Sequence, residues 1–264
     1  MLEVRGVRKA YGETVAIADL SFRVEAAEFV CIVGPSGCGK TTLMKCISGL
    51  LATSAGEVIL HGERITAPPP QMALVFQEYG RSLFPWMSVR QNVIFPLRRK
   101  GLPAPEQRRL SEESLEAVGL TGFADHYPWQ LSGGMQQRVA IARALAYQPE
   151  ILLMDEPFAS VDAQTRADLE DLLLRVWQEF KVTVLFVTHD IDESIYLADR
   201  VLVLAPRPTR VQESISVAIA RPRDQVETKG LPQFGELRAR IYNLIRRQDG
   251  DGGARPKGSA PDGF

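Results

Sequence analysis

The fold of this chain is decided by the stretch Phe29-Val30-Cys31-Ile32-Val33-Gly34-Pro35-Ser36-Gly37-Cys38-Gly39-Lys40-Thr41. Its first five residues are all apolar, which predicts a strand buried on both faces of a sheet. The glycine-rich segment that follows matches Gly-x₄-Gly-Lys-Thr, and residues 41–50 predict a helix. Backbone N–H groups in such a strand, loop and helix unit can surround a phosphate. The alternative, a glycine turn without a ligand, does not explain this flanking context.

The loop at residues 34–41, called the phosphate loop below, predicts a nucleoside triphosphate and Mg²⁺ as ligands. Lys40 is expected to reach the β and γ phosphates, and the Thr41 hydroxyl is expected to bind Mg²⁺. The residues predicted to contact the nucleotide here are Gly34, Ser36, Gly37, Cys38, Gly39, Lys40, Thr41 and Thr42.

Composition places the chain among ordinary globular proteins and excludes several function classes. Its 264 residues suffice for one large α/β domain or two small ones. The net charge of −1 gives no global basic field, so no nucleic-acid partner is expected. No apolar run approaches the ~18 residues that a membrane span needs. The start Met1-Leu2-Glu3-Val4 predicts no signal peptide, and three cysteines with three scattered histidines favour a reducing cytosol without a disulfide framework or zinc site.

Strands that alternate with helices predict a largely parallel sheet. Strands are expected at residues 2–7 and 15–24, on either side of a turn at Tyr11-Gly12, and at 58–60 and 73–76. Further buried strands are expected at 151–154, 183–187 and 201–204, and a long amphipathic helix at 169–180. Between residues 77 and 149 the pattern changes to helices, at 106–118 and 133–146, which predicts an inserted helical subdomain. Residues 226–247 predict a C-terminal helix, and the Gly-, Pro- and charge-rich tail 248–264 predicts disorder.

Polar residues follow three further predicted strands, at the edge where parallel sheets bind ligands. Gln77 follows the first of these strands, Asp155-Glu156 the second and His189 the third. Asp155 is expected to coordinate Mg²⁺, Glu156 to polarise the attacking water, and His189 to contact the γ-phosphate. The alternatives are a helix-capping pair for the carboxylates and a satisfied buried imidazole for the histidine. The phosphate loop in the same chain favours the catalytic interpretation.

The segment Leu131-Ser132-Gly133-Gly134-Met135-Gln136, called the signature segment below, predicts a second phosphate-facing surface. Ser132 is a good N-cap, and two glycines let backbone N–H groups approach an anion closely. The helix that follows directs its positive end to the same point. Because the segment lies in the helical block and not at a strand end, the simplest geometry is a two-chain sandwich. The residues expected to close on a nucleotide held by the partner chain are Ser132, Gly133, Gly134 and Gln136.

A resemblance to the ATP-binding subunits of ABC transporters rests on these motifs in this order. They are Tyr11, the loop at 34–42, Gln77, Leu-Ser-Gly-Gly-Met-Gln, Leu-Leu-Met-Asp-Glu, Ser160-Val161-Asp162 and His189. The resemblance covers residues from about 2 to 205. Val161 departs from the leucine more common in the family, which leaves Asp162 intact.

This resemblance implies an α/β fold: a P-loop NTPase core with a mostly parallel sheet, an N-terminal antiparallel β subdomain and an inserted helical subdomain at about 78–148, within an ATPase domain at 2–225. It implies an ATPase that binds two ATP in a homodimer, with Gln77 at Mg²⁺ and the water and Asp162 in communication across the dimer. Tyr11 is expected to stack on adenine, although a turn tyrosine is commonly a packing residue.

A finer resemblance concerns the cargo. Residues 76–87, together with 155–158 and 162–166, resemble importers of nitrate, sulfonate and taurine; importers of thiamine- or riboflavin-precursor-like compounds share similar sequences. The resemblance implies integral-membrane permease subunits as partners and an extracytoplasmic solute-binding protein as an indirect one. The subunit would lie in the cytoplasm, on the inner face of the cell membrane. The cluster Leu83-Phe84-Pro85-Trp86-Met87 is expected either to dock a permease helix or to pack in the core.

Two other function classes fit the sequence less well. A non-transport ATPase of this fold, active in translation or repair, would carry a second cassette or long coiled-coil insertions, and neither pattern is present. A nucleotide-binding module without hydrolysis conflicts with the intact Glu156 and His189.

Overall fold

Two β-sheets carry the strands in the computed structural model, which describes residues 1–76 and 82–251. The first sheet is antiparallel with the order β2-β1-β4-β5, and the second has the order β10-β9-β3-β8-β7-β6. The strands are β1 (Leu2–Tyr11), β2 (Thr14–Val24), β3 (Phe29–Val33), β4 (Ala55–Leu60), β5 (Glu63–Arg64), β6 (Met72–Val75), β7 (Ile151–Asp155), β8 (Thr183–Val187), β9 (Arg200–Leu204) and β10 (Val211–Ser216).

Helices cover both the large sheet and the region between β6 and β7. The α-helices of the described residues are α1 (Lys40–Ile47), α2 (Val89–Ile94), α3 (Ala104–Ala117), α4 (Gly133–Ala146), α5 (Ala163–Phe180), α6 (Ile191–Leu197) and α7 (Pro232–Asp251). Short 3₁₀ helices occur at Phe95–Lys100, Thr121–Phe123 and Pro128–Gln130. None of the helices in these two ranges is long and apolar enough to cross a membrane.

The five strands β9, β3, β8, β7 and β6 are parallel, which confirms the predicted P-loop α/β fold. Their register brings the strand ends level, because Ile32 pairs with Val187 and Val187 pairs with Asp155. The loops that follow β3, β8 and β7 therefore begin side by side, at the edge where parallel sheets bind ligands.

Burial on both faces explains why the central strands are uninterrupted apolar runs. Every residue of β3, β7 and β8 is buried. Along β3, Phe29, Cys31 and Val33 pack with the helices α4 and α5 on one face, whereas Val30 and Ile32 pack with α1 and the antiparallel sheet on the other. The period of two along the strand thus divides the apolar core into two layers.

The structure adds short elements that the sequence pattern does not predict. These are β10, α2 and α6, of which the helices have six and seven residues and the strand six. The two helices give too few periods of an apolar pattern to be recognised, and β10 has one buried residue, Ile215, so it lacks the apolar run that marks the central strands. The helix α2 still has a local signal, since Ser88 and Gln91 form a reciprocal capping box.

The C-terminal helix α7 extends to Asp251 and so enters the stretch predicted as a disordered tail. Residues 252–264 lie outside the described residues. The domain boundaries 2–225 and 226–247 stay a prediction, although buried Phe234 and Ile241 of α7 pack in the same core cluster as the large sheet.

Candidate functional site

The phosphate loop joins β3 to α1 with its lysine folded inward. Lys40 is 6% exposed, and its Nζ donates hydrogen bonds to the carbonyl oxygens of Gly34 at 2.9 Å and Pro35 at 3.2 Å. The backbone at Gly37 and Gly39 has φ of 73° and 112°, which side-chain-bearing residues rarely adopt. The loop is therefore curved around the lysine ammonium, and its N–H groups and the start of α1 form the anion-binding geometry that the motif predicts.

Thr209 ties the phosphate loop to the antiparallel sheet and was not predicted from the sequence. It is fully buried, and its hydroxyl donates a hydrogen bond to the Cys38 carbonyl oxygen. Its backbone N–H donates to Ala16 at 3.1 Å, and its carbonyl accepts from Ala18 at 3.0 Å. A threonine between a proline and an arginine has no sequence signal for this role, which depends on contacts with distant parts of the chain.

Glu156, His189 and Lys40 meet at the ends of their strands, as the sequence predicts. The His189 Nδ1 lies 3.2 Å from the Glu156 Oε2, and the Lys40 Nζ lies 3.9 Å from the Glu156 Oε1. His189 is 54% exposed, so its ring is accessible to a bound phosphate. A carboxylate between a lysine and a histidine can accept a proton from an attacking water, with both neighbours positioned near the phosphate.

The Glu156 backbone has a φ of 45°, in the left-handed region. For a residue other than glycine, this conformation costs about 1–2 kcal/mol. Its N–H donates to the Val187 carbonyl oxygen at 2.9 Å, which fixes the turn against β8. Strain of this kind clusters at active sites, and here it lies at the carboxylate predicted to act on the attacking water.

Asp155 and Thr41 have the ligand types that Mg²⁺ prefers. Asp155 is 6% exposed, and its Oδ1 has no hydrogen-bond partner within the described ranges. Burial raises the pKa of Asp155 above its usual value, while a hydrogen bond with the Thr41 side chain opposes this rise. A buried unpaired carboxylate oxygen beside a hydroxyl fits a hard cation, which would neutralise charge that develops on the phosphates.

Gln77, the third predicted catalytic residue, lies outside the described residues.

Cys38 is 2% exposed, and burial raises the pKa of its thiol, with Lys40 acting in the opposite direction. A thiol held protonated is a poor nucleophile toward oxidants, so the site does not activate Cys38.

Tyr11 contributes an exposed ring at the end of β1. It ends β1, pairs with Thr14 of β2 and is 52% exposed. Two residues further along β2, the Ala16 carbonyl oxygen lies 3.6 Å from the position of a Cβ on Gly39. At about 3.4 Å per residue, the Tyr11 backbone is roughly 10 Å from the loop. Adenine stacking by Tyr11 stays a prediction.

The signature segment begins the helix α4 with a side-chain cap. Ser132 is exposed, and its hydroxyl accepts a hydrogen bond from the Met135 N–H at 3.3 Å. The Gln136 side chain instead faces its own chain, since its Nε2 donates to the carbonyl oxygens of Pro128 at 3.0 Å and Leu131 at 3.3 Å. These bonds fix the chain direction just before Ser132.

Gly134 has an intrachain packing role that the sequence does not reveal. A Cβ at this position would lie 2.5 Å from the Thr165 Cγ2, so the absence of a side chain lets α4 approach α5. Thr165 in turn donates to the carboxylate of Asp162, from its N–H at 2.9 Å and from its hydroxyl at 2.7 Å. These bonds lower the pKa of Asp162, the Thr165 hydroxyl contributing most. The signature segment and Asp162 are therefore joined through Thr165.

The signature segment lies to one side of the catalytic strand ends. Helix α4 packs on β6, and β6 is three strands away from β3 in the sheet order. Neighbouring strands are about 4.8 Å apart, so β6, on which α4 packs, lies about 14 Å from β3. One chain therefore carries the phosphate loop and the signature segment on different parts of its surface.

Gly134→Ala is expected to lower the free energy of unfolding by about 1–3 kcal/mol, because the new methyl group overlaps the Thr165 Cγ2. Thr165→Ser removes that Cγ2 and keeps the hydroxyl on Asp162, and the next Thr165 atom is 3.9 Å away. The double variant should therefore recover most of the loss in urea unfolding. An equal loss in the single and double variants would contradict this contact.

The comparisons with known proteins agree with this geometry. The family described as "ABC transporter" matches residues 17–159. An aliphatic sulfonates import ATP-binding protein of Burkholderia cenocepacia is 44% identical over 247 residues, 94% of this chain and 88% of that protein. A taurine import ATP-binding protein of Roseobacter denitrificans is 42% identical over 233 residues, 87% and 86% of the two chains. A nitrate import ATP-binding protein of Synechococcus elongatus is 42% identical over 240 residues, 90% of this chain and 36% of that protein.

Solved structures show the same fold. The dimeric structure of a bacterial ABC transporter cassette, MJ0796, superposes with a TM-score of 0.72 at 33% identity and covers 83% of this chain and 100% of its own. The same cassette in a dimeric post-hydrolysis state, bound to ADP and Pi, matches with the same values. With the phosphate loop, Glu156 and His189 in place, the chain belongs to the ABC transporter family, as an ATP-binding subunit that hydrolyses ATP.

Proposed function

We propose that two copies of this chain close around two ATP molecules and drive the import of a small anion through a membrane permease. The dimer is inferred from the separation, within one chain, of the strand-end site and the signature segment. The strand ends supply Lys40, Glu156 and His189, whereas Ser132 is exposed at the start of α4, which packs on β6 about 14 Å from β3. A second copy related by a two-fold axis would place its signature segment over this site. By the same symmetry, the signature segment of the first copy would lie over the site of the second.

In this arrangement the strand-end residues act on the phosphates and the signature segment closes the site. Lys40 contacts the β and γ phosphates, Glu156 accepts a proton from the attacking water, and His189 holds the γ-phosphate in line. The N-terminal N–H groups of α4 and the Ser132 hydroxyl of the partner copy stabilise the same phosphate from the opposite side. Asp162 would transmit closure of the dimer to the ATP site of its own chain, because its hydrogen-bond partner Thr165 contacts Gly134 of the signature segment.

The aromatic cluster around Phe84 supports docking of a permease helix, although Leu83 packs in the core. Leu83 is 2% exposed, whereas Trp86 is 70% exposed. The ring of Phe84 lies 5.4 Å from that of Trp86 and 4.7 Å from that of Phe95. Next to it is a cavity of about 330 Å³ lined by apolar side chains and by Arg143. An open apolar groove with exposed aromatic side chains is typical of helix recognition, and it would hold this subunit against the cytoplasmic face of the membrane.

The proposed cargo is a small anion such as a sulfonate, taurine or nitrate, the solutes named for the three relatives. An extracytoplasmic binding protein would deliver it, and this subunit would not touch it. The test is the ATP turnover of the chain reconstituted with its permease and binding protein in liposomes. Stimulation by one of these anions is expected, whereas stimulation by a thiamine- or riboflavin-precursor-like compound alone would contradict the proposed solute class.

Glu156→Gln is expected to lower ATP turnover at least about 100-fold, because the amide cannot accept the proton of the attacking water. ATP binding should persist, so that the ATP-bound dimer accumulates and is visible by light scattering. Glu150→Gln is the matched control, since Glu150 lies just before the same strand and its exposed carboxylate contacts His61 at 2.5 Å, away from the predicted site.

Near-normal turnover in Glu156→Gln would remove Glu156 from its role. A variant that binds ATP but remains monomeric would contradict the two-chain site and leave the catalytic assignment in place.

A further inference from the structure

Behind His189 lies a buried carboxyl group that the proposed chemistry does not use. Glu193, on α6, is 4% exposed. The Thr188 side chain is hydrogen-bonded to its carboxyl group, and Thr188 is itself 3% exposed. The other oxygen, Oε1, has no hydrogen-bond partner in the described part of the chain. An unpaired buried carboxyl oxygen is costly, so its presence calls for a function.

Glu193 faces a small cavity directly beneath the catalytic pair. The cavity has a volume of about 10 Å³, roughly the space that one water molecule needs. Its polar lining consists of Glu156, Arg166, Thr188, His189, Asp190 and Glu193. The Arg166 Nε is also buried without a partner in residues 1–76 and 82–251. Two unsatisfied buried groups therefore border one water-sized space, and a single water could accept a hydrogen bond from each if Glu193 carries a proton.

The charges around Glu193 favour that protonated form. Burial raises the pKa of Glu193 to about 8, the Thr188 hydrogen bond lowers it, and the nearby carboxylates of Glu170 and Asp190 raise it. Arg166 on α5 acts in the opposite direction. The buried Cys31 thiol of β3 also interacts electrostatically with this carboxyl group, and Lys229 lies 3.4 Å from Glu170. These surroundings therefore favour the neutral form of the Glu193 carboxyl group.

We propose that neutral Glu193, with one water shared with the Arg166 Nε, is a positioning residue that holds His189 against Glu156. The proposal goes beyond the dimer and the cargo and depends only on the ATPase activity.

Hydrogen bonds connect Glu193 to Thr188 and Asp190, the two residues on either side of His189. Thr188 links Glu193 to the Asp190 backbone, because its Oγ1 accepts from the Asp190 N–H at 2.9 Å. The Asp190 Oδ2 accepts from Arg166 at 3.1 Å, and its Oδ1 accepts from the Glu193 N–H at 3.2 Å. His189 lies between Thr188 and Asp190, so its backbone is fixed on both sides and its Nδ1 is placed 3.2 Å from the Glu156 Oε2.

Loss of the Glu193 proton would disturb this arrangement. The ionised Glu193 carboxylate would lie beside the negative charges of Asp190 and Glu170. Among the charges that act on Glu193, Arg166 is the cation that would attract it. A guanidinium drawn toward Glu193 weakens its bond to Asp190 and releases the strand end that positions His189. Hydrolysis should therefore decline as the pH rises through about 8.

The first test is the pH profile of kcat from pH 6 to 9.5 at saturating ATP. Wild-type kcat should fall about tenfold between pH 7 and pH 9, the loss expected one pH unit above a single titration. Glu193→Gln, which keeps a neutral donor and acceptor, should stay within about twofold at pH 7 and lack this alkaline loss. Glu193→Ala should lower kcat about tenfold at pH 7 and lack the alkaline loss, so that it approaches the wild type near pH 9, with the KM for ATP within about twofold. Glu227→Gln, an exposed glutamate, is the control.

Two outcomes overturn the proposal. One is an alkaline loss in Glu193→Gln equal to that of the wild type. The other is a loss of activity at pH 7 in Glu193→Gln as large as in Glu193→Ala, because the ionised carboxylate would then be the active form.

A second measurement does not depend on activity and decides the matter if Glu193→Ala fails to fold. The folded-state pKa of about 8 lies above the usual value of 4.5, so between these values the folded chain holds a proton that the unfolded chain lacks. Wild-type stability should therefore fall as the pH rises from about 5 to 8, whereas Glu193→Gln lacks this term. The Tm of Glu193→Gln minus that of the wild type should grow over this range, and a constant difference would contradict a buried proton on Glu193.

Discussion

The parallel register of β3, β8 and β7 is the constraint on which the rest of the site depends. Backbone pairing joins Ile32 to Val187 and Val187 to Asp155, so the three strands end level. Two strand spacings, about 10 Å, then separate the backbone at the end of β3 from that at the end of β7, a distance that the Lys40 and Glu156 side chains bridge. Apolar burial on both faces maintains this register, since each central strand contributes side chains to two core layers. A shift by one residue would exchange these layers and displace every loop at this edge.

Much of this site was predictable because its signals are local. The uninterrupted apolar runs show where the strands of the sheet lie and where the loops after them begin. Glu156 and His189 were identified because they are polar residues directly after such runs. Thr209 and Glu193 carry no such signal. The Thr209 hydroxyl bonds to Cys38, 171 positions away in the chain, and the importance of Glu193 comes from what surrounds a short helix. The left-handed backbone of Glu156 is equally invisible in the sequence, because it results from a turn held against β8.

The signature segment shows how one residue can meet two requirements. Its capping serine and glycines predicted a helix start open to an anion, and the structure gives that helix start. Gly134 also lets α4 approach Thr165, which hydrogen-bonds to Asp162. The surface that would contact the partner's nucleotide is thus connected, through Thr165, to the loop that follows β7 of the same chain. Arg166, the next residue on α5, forms an ion pair with Asp190 beside His189. The first turn of α5 therefore contacts both the signature segment and the loop that carries His189.

In the proposed dimer, each ATP site combines the phosphate loop of one chain with the signature segment of the other. Mixing two inactive variants, Lys40→Ala and Ser132→Arg, tests this sharing of sites. In mixed dimers one site retains both the Lys40 of one chain and the Ser132 of the other. With random pairing and independent sites, half of the dimers are mixed and have one intact site each, so up to about a quarter of wild-type turnover should return. A mixture as inactive as its components would contradict the shared site.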